Sequence, residues 1–188
     1  MIMLGIILLV VLALGAAGVV WWMGAYNALV RMRQEVKNAW SQIDVQLKRR
    51  HDLIPNLVES VKGYMAHERQ TLEAVIKART QAVNVTDVKD KVQAENFLTQ
   101  TLRSLFAVME RYPDLKANQN VMALQEELTS TENRISFARQ FYNDQAMRLN
   151  TAIESVPTNI IANSSGFTKV EFFEIEDPSH REVPKVAL

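Results

Sequence analysis

The sequence predicts an all-α protein: an N-terminal transmembrane helix continuing into an elongated antiparallel four-helix bundle, with a short non-helical or single-strand C-terminal tail. Three observations predict it. Residues 1–30 contain no charged side chain, glycine occurs only at 63 and 166 beyond residue 25, and apolar residues recur at helical spacings through most of the remaining chain. The expected divisions are an anchor over 1–25, a bundle over 26–157 and a tail over 158–188.

Composition agrees with a folded body on a membrane segment. The chain has 188 residues, 48% of them hydrophobic, and balances 21 Lys and Arg against 21 Asp and Glu. That excludes a disordered chain and a strongly basic nucleic-acid binder. The charges are unevenly spread: residues 31–50 hold six cations and two acids, and residues 51–188 hold fifteen cations and nineteen acids. A neutral head, a basic collar and an acidic body follow. Cysteine is absent, which excludes disulfides, thiolate metal sites and thiol catalysis.

The first element runs from Ile2 to Met23, 22 residues without a charge. As a helix rising 1.5 Å per residue it reaches about 33 Å, enough to cross a bilayer. A cleaved signal peptide would need a basic leading region and a shorter apolar core, so an uncleaved anchor is the expectation. Trp21, Trp22 and Tyr26 gather at its end, where amphipathic rings favour the headgroup zone. Arg31, Arg33 and Lys37 follow within reach of the span, which predicts a single-pass protein of the cell membrane with its N-terminus outside and its body cytoplasmic.

Four helical patterns follow. Tyr26, Leu29, Val36, Trp40, Ile43 and Leu47 draw one apolar stripe over 26–50, continuous with the span. Asp52 is placed to cap a second helix with Pro55 in its first turn, which carries Ile54, Val58, Val61, Met65, Leu72 and Val75 and ends near Asn84. A third starts near Asp87, shows Val88, Val92, Leu98, Leu102, Leu105 and Met109, and stops at Pro113. The fourth, from about 114 to 156, has Val121, Leu128, Ile135, Tyr142, Leu149 and Val156 at intervals of seven, interrupted in the second heptad row by Thr131 and Gln145. That pattern suits one wall of a bundle better than a two-stranded coiled coil. After Pro157 the stretch NIIANSSGF and the acidic, proline-bearing end read as non-helical, with Val170, Phe172 and Phe173 as a short strand or docking pegs.

The stretches YNALVRMRQEVKNAWSQIDVQLKRRHDLIPNLVESVKGYMAHE and YPDLKANQNVMALQEELTSTENRISFARQFYNDQAMRLNTAIESVP, with the tail GFTKVEFFEIEDPSHREVPKV, closely resemble the bacterial LemA family. The resemblance covers nearly everything after the anchor. It implies an N-terminal membrane anchor, a soluble antiparallel helical bundle and no established catalytic activity. It also implies company at the membrane, since relatives are linked to magnetosome organelle formation or associated with membrane-bound zinc metalloproteases.

The residues themselves suggest little chemistry. His51, His67 and His180 show no metal-ligand spacing, and His67-Glu68 continues Arg69-Gln70-Thr71 where a zinc protease motif needs a second histidine. No phosphate loop or nucleophile elbow is present. No catalytic, cofactor-binding or metal-binding residue is therefore assigned, and an enzyme is not expected. The acids Glu126, Glu127 and Glu132 read as a solvated face, while Glu132, Asn133, Arg134 and Arg139, which the resemblance places in the family motif, also suit buried or half-buried polar pairing that sets helix register. Lys48, Arg49 and Arg50 are candidate contacts for acidic partners, against a plainer role in pairing with carboxylates at a helix end. Phe167, Val170, Phe172 and Phe173 are candidate contacts between copies of the chain, against folding back on their own bundle. The functional expectation is a membrane-anchored, non-enzymatic scaffold or adaptor that contacts lipid, other membrane proteins and further copies of itself, but not nucleic acid. Its alternatives are a direct membrane remodeller and a partner or regulator of a membrane metalloprotease.

Overall fold

The computed structural model describes residues 2–173, apart from the side chain of Lys116. The described residues form six helices and no strand: α1 (Ile2–Lys62), α2 (Arg69–Asn84), α3 (Val88–Met109), α4 (Pro113–Ala117), α5 (Gln119–Glu154) and α6 (Thr158–Ser164). Two compact units emerge, one of residues 2–42 with 138–172 and one of residues 43–137 with Phe173. The all-α expectation holds, and the anchor segment is helical. The end of the tail, from residue 174, lies outside the described residues.

The largest departure concerns Pro55. The expected helix start at Asp52 does not occur, because α1 runs unbroken through Pro55 to Lys62. A proline inside a helix removes the donor that would satisfy the carbonyl four residues earlier. That carbonyl belongs to His51, and Arg79 of α2 donates to it from Nε at 2.6 Å. The orphaned acceptor thus receives a partner from another helix, and the helix continues. Its actual break is Gly63–Glu68, where Met65 is buried and the N–H groups of Tyr64 and Met65 return to the Val61 carbonyl.

The fourth pattern is divided as well. Pro113 opens the short α4, and Asn118 caps α5 by accepting from the N–H groups of Asn120 and Val121 at 3.0 and 3.3 Å. Along α5 the heptad residues Val121, Leu128, Ile135, Tyr142 and Leu149 are all buried, whereas Val156 falls beyond the helix and is exposed. Thr131 and Gln145, the polar interruptions, are buried too, and Thr131 donates to the Glu127 carbonyl of its own helix. α3 starts near Asp87 as expected, and the Asp87 side chain caps it by accepting from the N–H groups of Lys89 and Asp90.

Residues 158–164, expected to be non-helical, form α6. Burial of Ile161 and Ala162 outweighs the absence of a long periodic pattern. Gly166 then adopts φ +70°, a conformation open to glycine at little cost, and lets the Phe167 N–H reach back to the Ala162 carbonyl at 3.0 Å.

The core of the second unit draws Ile54, Leu57 and Val61 from α1, Val75 and Ala78 from α2, Leu98 and Leu105 from α3, and Val121 and Leu128 from α5. In the first unit, Leu29, Val36 and Ala39 of α1, Ala146 and Leu149 of α5, and Ile161 of α6 are buried. The apolar run at the start of α1 contributes no burial, its side chains standing exposed from Ile2 to Met23.

The Pro55 account makes a specific prediction. Arg79→Met should cost about 1–3 kcal/mol by leaving the His51 carbonyl unsatisfied. In a Pro55→Ala background, where residue 55 supplies the missing N–H, that cost should shrink. Denaturant unfolding of the four detergent-solubilised proteins measures it, and equal costs in both backgrounds would refute the pairing.

Candidate functional site

The densest polar grouping lies within the second unit, where α1, α3 and α5 meet around Arg50. Its guanidinium is 1% exposed and the Glu95 side chain 0%, so neither reaches water. Arg50 pairs with Glu95 through Nη2, and through Nη1 donates to Glu132 at 2.5 Å and to Thr99 at 2.8 Å. Thr99 in turn donates to the second oxygen of Glu132 at 3.2 Å. His51 lies with Nε2 2.9 Å from the other Glu95 oxygen. Around this centre Arg49 pairs with Glu127, and Lys91 with Asp44 at 2.5 Å.

The electrostatics follow from the geometry. Burial alone pushes the Glu95 carboxyl upward, but the His51 hydrogen bond and the Arg50 charge outweigh it and hold the pKa below the ordinary carboxylate value. Glu95 is therefore an anion at neutral pH, its Oε2 bonded by Arg50 and its Oε1 facing His51 Nε2. Its chemistry is that of a fixed ion network joining three helices.

The candidate residues separate accordingly. Lys48 is exposed, Arg49 is occupied by Glu127, and Arg50 is interior, so these three do not form one basic surface patch. They also lie mid-helix, which removes the expected complement to a helix C-terminus. Glu132 is not a purely solvated acid, since it closes the Arg50 network, whereas Glu126 is exposed. Arg139 is buried in the first unit. His67 is exposed in the connector before α2, not on a helix. Among the described residues no cluster of three or more His, Asp or Glu side chains is arranged to hold a metal ion.

The expected tail contacts fold onto their own chain. Phe167 is buried, meeting Tyr26 edge to face at 5.8 Å between ring centroids, with the Arg33 guanidinium 5.0 Å from its ring. Val170 is half-buried, and its backbone is held twice by Asn150, each hydrogen bond 2.9 Å long. Phe173 is buried, while Phe172 remains exposed. Trp21, Trp22 and Tyr26 stand partly exposed on α1 where its apolar run ends. Nearby, Trp40 and Tyr142 stack edge to face at 5.4 Å, and the Tyr142 hydroxyl donates to the Glu171 carbonyl at 2.9 Å.

A groove of about 730 Å³ beside the α1–α2 connector is floored by Val58, Met65 and Leu72. Its two carboxylates are paired along their own helices, Glu59 with Lys62 and Glu73 with Arg69. No histidine or hydroxyl nucleophile lines it.

Sequence reading rejects His51 as a metal ligand and does not single out Glu95, Thr99 or Asn150. His51 and Glu95 left a signal: each sits where an apolar stripe lapses, between Leu47 and Ile54 and between Val92 and Leu98. Asn150 left none.

Breaking the network should be costly. Arg50→Met should destabilise the protein by about 3–5 kcal/mol, because it leaves Glu95 buried without its cation. The lowered Glu95 pKa means that its contribution is present above the unfolded carboxylate value and is lost as pH falls through the folded one. Unfolding measured across the acid range should therefore show a shallower decline for Glu95→Gln, by up to about 1.4 kcal/mol per pH unit.

Comparison with known proteins accords with this architecture. The LemA family model matches residues 39–188. Protein LemA of Metamycoplasma hominis is 28% identical over 83% of this chain and 72% of its own length. Magnetosome protein MamQ 2 of Paramagnetospirillum magneticum is 25% identical, over 79% of this chain and 64% of its own. Magnetosome protein MamQ of Magnetospirillum gryphiswaldense is 24% identical over the same shares. The chain thus spans less than two thirds of the two magnetosome proteins, but the family match takes in the whole Arg50 network and everything after it: the chain belongs to the LemA family.

Proposed function

We propose that this protein is a membrane-anchored, non-enzymatic scaffold or adaptor that organises other membrane proteins, and copies of itself, at the bacterial cell membrane. One observation carries the reading: a single unbroken α1 passes from a fully exposed apolar run, long enough to cross a bilayer, into a helical body whose buried Arg50 and Glu95 are paired with each other. A cation and an anion paired out of reach of water favour a fixed shape over chemistry. Similarity to proteins named for the magnetosome supports a role in a larger membrane-linked assembly.

Large apolar side chains left exposed on the second unit, Val45, Phe97 and Phe137 among them, favour partner contacts. Regulation of a membrane metalloprotease is compatible with this reading. The basic residues Arg31, Arg33 and Lys37 favour a cytoplasmic body.

Three measurements test the proposal. External protease added to sealed spheroplasts should leave the body intact, and digestion with cytoplasmic controls protected would overturn the orientation. Purified full-length protein in liposomes should leave vesicle shape unchanged while crosslinking in cells captures a reproducible set of membrane proteins. Vesicle tubulation by the protein alone would favour direct remodelling instead.

A further inference from the structure

The first unit has an end without charge. From Ser155 through Thr168 there is no Asp, Glu, Lys, Arg or His, although 22% of the whole chain is Asp, Glu, Lys or Arg. This stretch contains the α5–α6 corner and α6, and ion-pairing side chains bracket it, Glu154 on one side and Lys169 on the other. Two of its large apolar side chains face outward: Val156 is 79% exposed and Ile160 59% exposed, while Ile161 and Ala162 are buried behind them. The remaining exposed side chains are uncharged: Ser155, Pro157, Asn163, Ser164, Ser165 and Thr168.

The position of this end relative to α1 follows from contacts inside the same unit. Trp40 of α1 meets Tyr142 of α5, and Tyr26, nearer the start of α1, meets Phe167 beyond the end of α5. The two helices therefore run in opposite directions. Twelve residues back from Trp40 and twelve on from Tyr142, about 18 Å along each helix, bring Ala28 level with Glu154. The corner at Val156 thus stands level with Tyr26, only about 5 Å beyond Met23, the last residue of the apolar run. On α1 the uncharged sequence likewise persists to Val30, and charge begins at Arg31. The two helices lose their charges within about one turn of each other, as an interface that penalises desolvated ions requires.

We propose that the α5–α6 corner, residues 155–165, rests in the headgroup zone of the bilayer that α1 crosses, with Val156 and Ile160 as its apolar contacts with lipid. The covalent continuity of α1 fixes the occupant, because any bilayer around Ile2–Met23 meets the corner before the rest of the folded part of the first unit. The proposal rests on the anchor reading above, and its test separates the two.

The chain has no cysteine, so a single introduced thiol can be labelled uniquely. Full-length Val156→Cys, Ile160→Cys, Leu12→Cys and Asp144→Cys proteins, each carrying an environment-sensitive fluorophore, are reconstituted into phosphatidylethanolamine and phosphatidylglycerol vesicles. A nitroxide lipid labelled near the top of the acyl chain serves as quencher, and aqueous iodide as its counterpart. Probes at 156 and 160 should shift to the blue, lose emission to the nitroxide and resist iodide. The probe at Asp144, exposed on α5 and about 18 Å further along it than Val156, should do the reverse. If Leu12 lies within lipid while 156 and 160 behave like 144, the corner proposal falls and the anchor stands. If Leu12 is itself reached by iodide and spared by the nitroxide lipid, the anchor reading fails and the corner proposal fails with it.

Discussion

A cation and an anion sealed from water at Arg50 and Glu95 constrain everything built around them. Neither is tolerable alone in that position, since an unpaired buried charge is far more costly than an unpaired buried amide. Arg50 must therefore meet Glu95, and with Glu132 and Thr99 it must do so from α1, α3 and α5 at once. Apolar packing permits helices to slide past each other by a turn with modest loss, but a shared guanidinium does not. The network acts as the register pin for an interior otherwise made of interchangeable Leu, Val and Ile side chains.

Continuity of α1 is a second constraint, and it interlocks with the first. His51 opens the turn that Pro55 deprives of a hydrogen bond, and Arg50 immediately precedes it. Arg79 repairs that turn through the His51 carbonyl, while the His51 ring engages Glu95. One residue thus ties the backbone defect and the ion network together, α2 supporting the first and α3 the second.

These features show how far the sequence could be read. The apolar start of α1, the start of α3 near Asp87 and the stripes of α3 and α5 are local patterns, written in neighbouring residues, and they appear where expected except at the exposed Val88 and Val156. The helix through Pro55 and the helix at 158–164 depend on partners distant in sequence, Arg79 in the first case and the burial of Ile161 and Ala162 in the second. Local propensity carries no trace of such partners. The ion network stands between these extremes: a lapse in an apolar stripe marks that a polar group is buried, but not which charge it meets. Phe167 and Phe173 were legible as costly to expose, yet whether their own chain or a neighbour covers them is a tertiary fact.

Asn150 holds the segment at Val170 in an unusual way. Its side-chain amide donates to the Val170 carbonyl and accepts from the Val170 N–H, reproducing with one side chain the two bonds of a strand pairing. Such a clasp recognises main chain alone. The residue at 170 is therefore free to drift through any amino acid that keeps its N–H, whereas at 150 even the near-isosteric aspartate forfeits the donor. Variation among descendants of this sequence should fall on the grasped segment and spare the hand that grasps it.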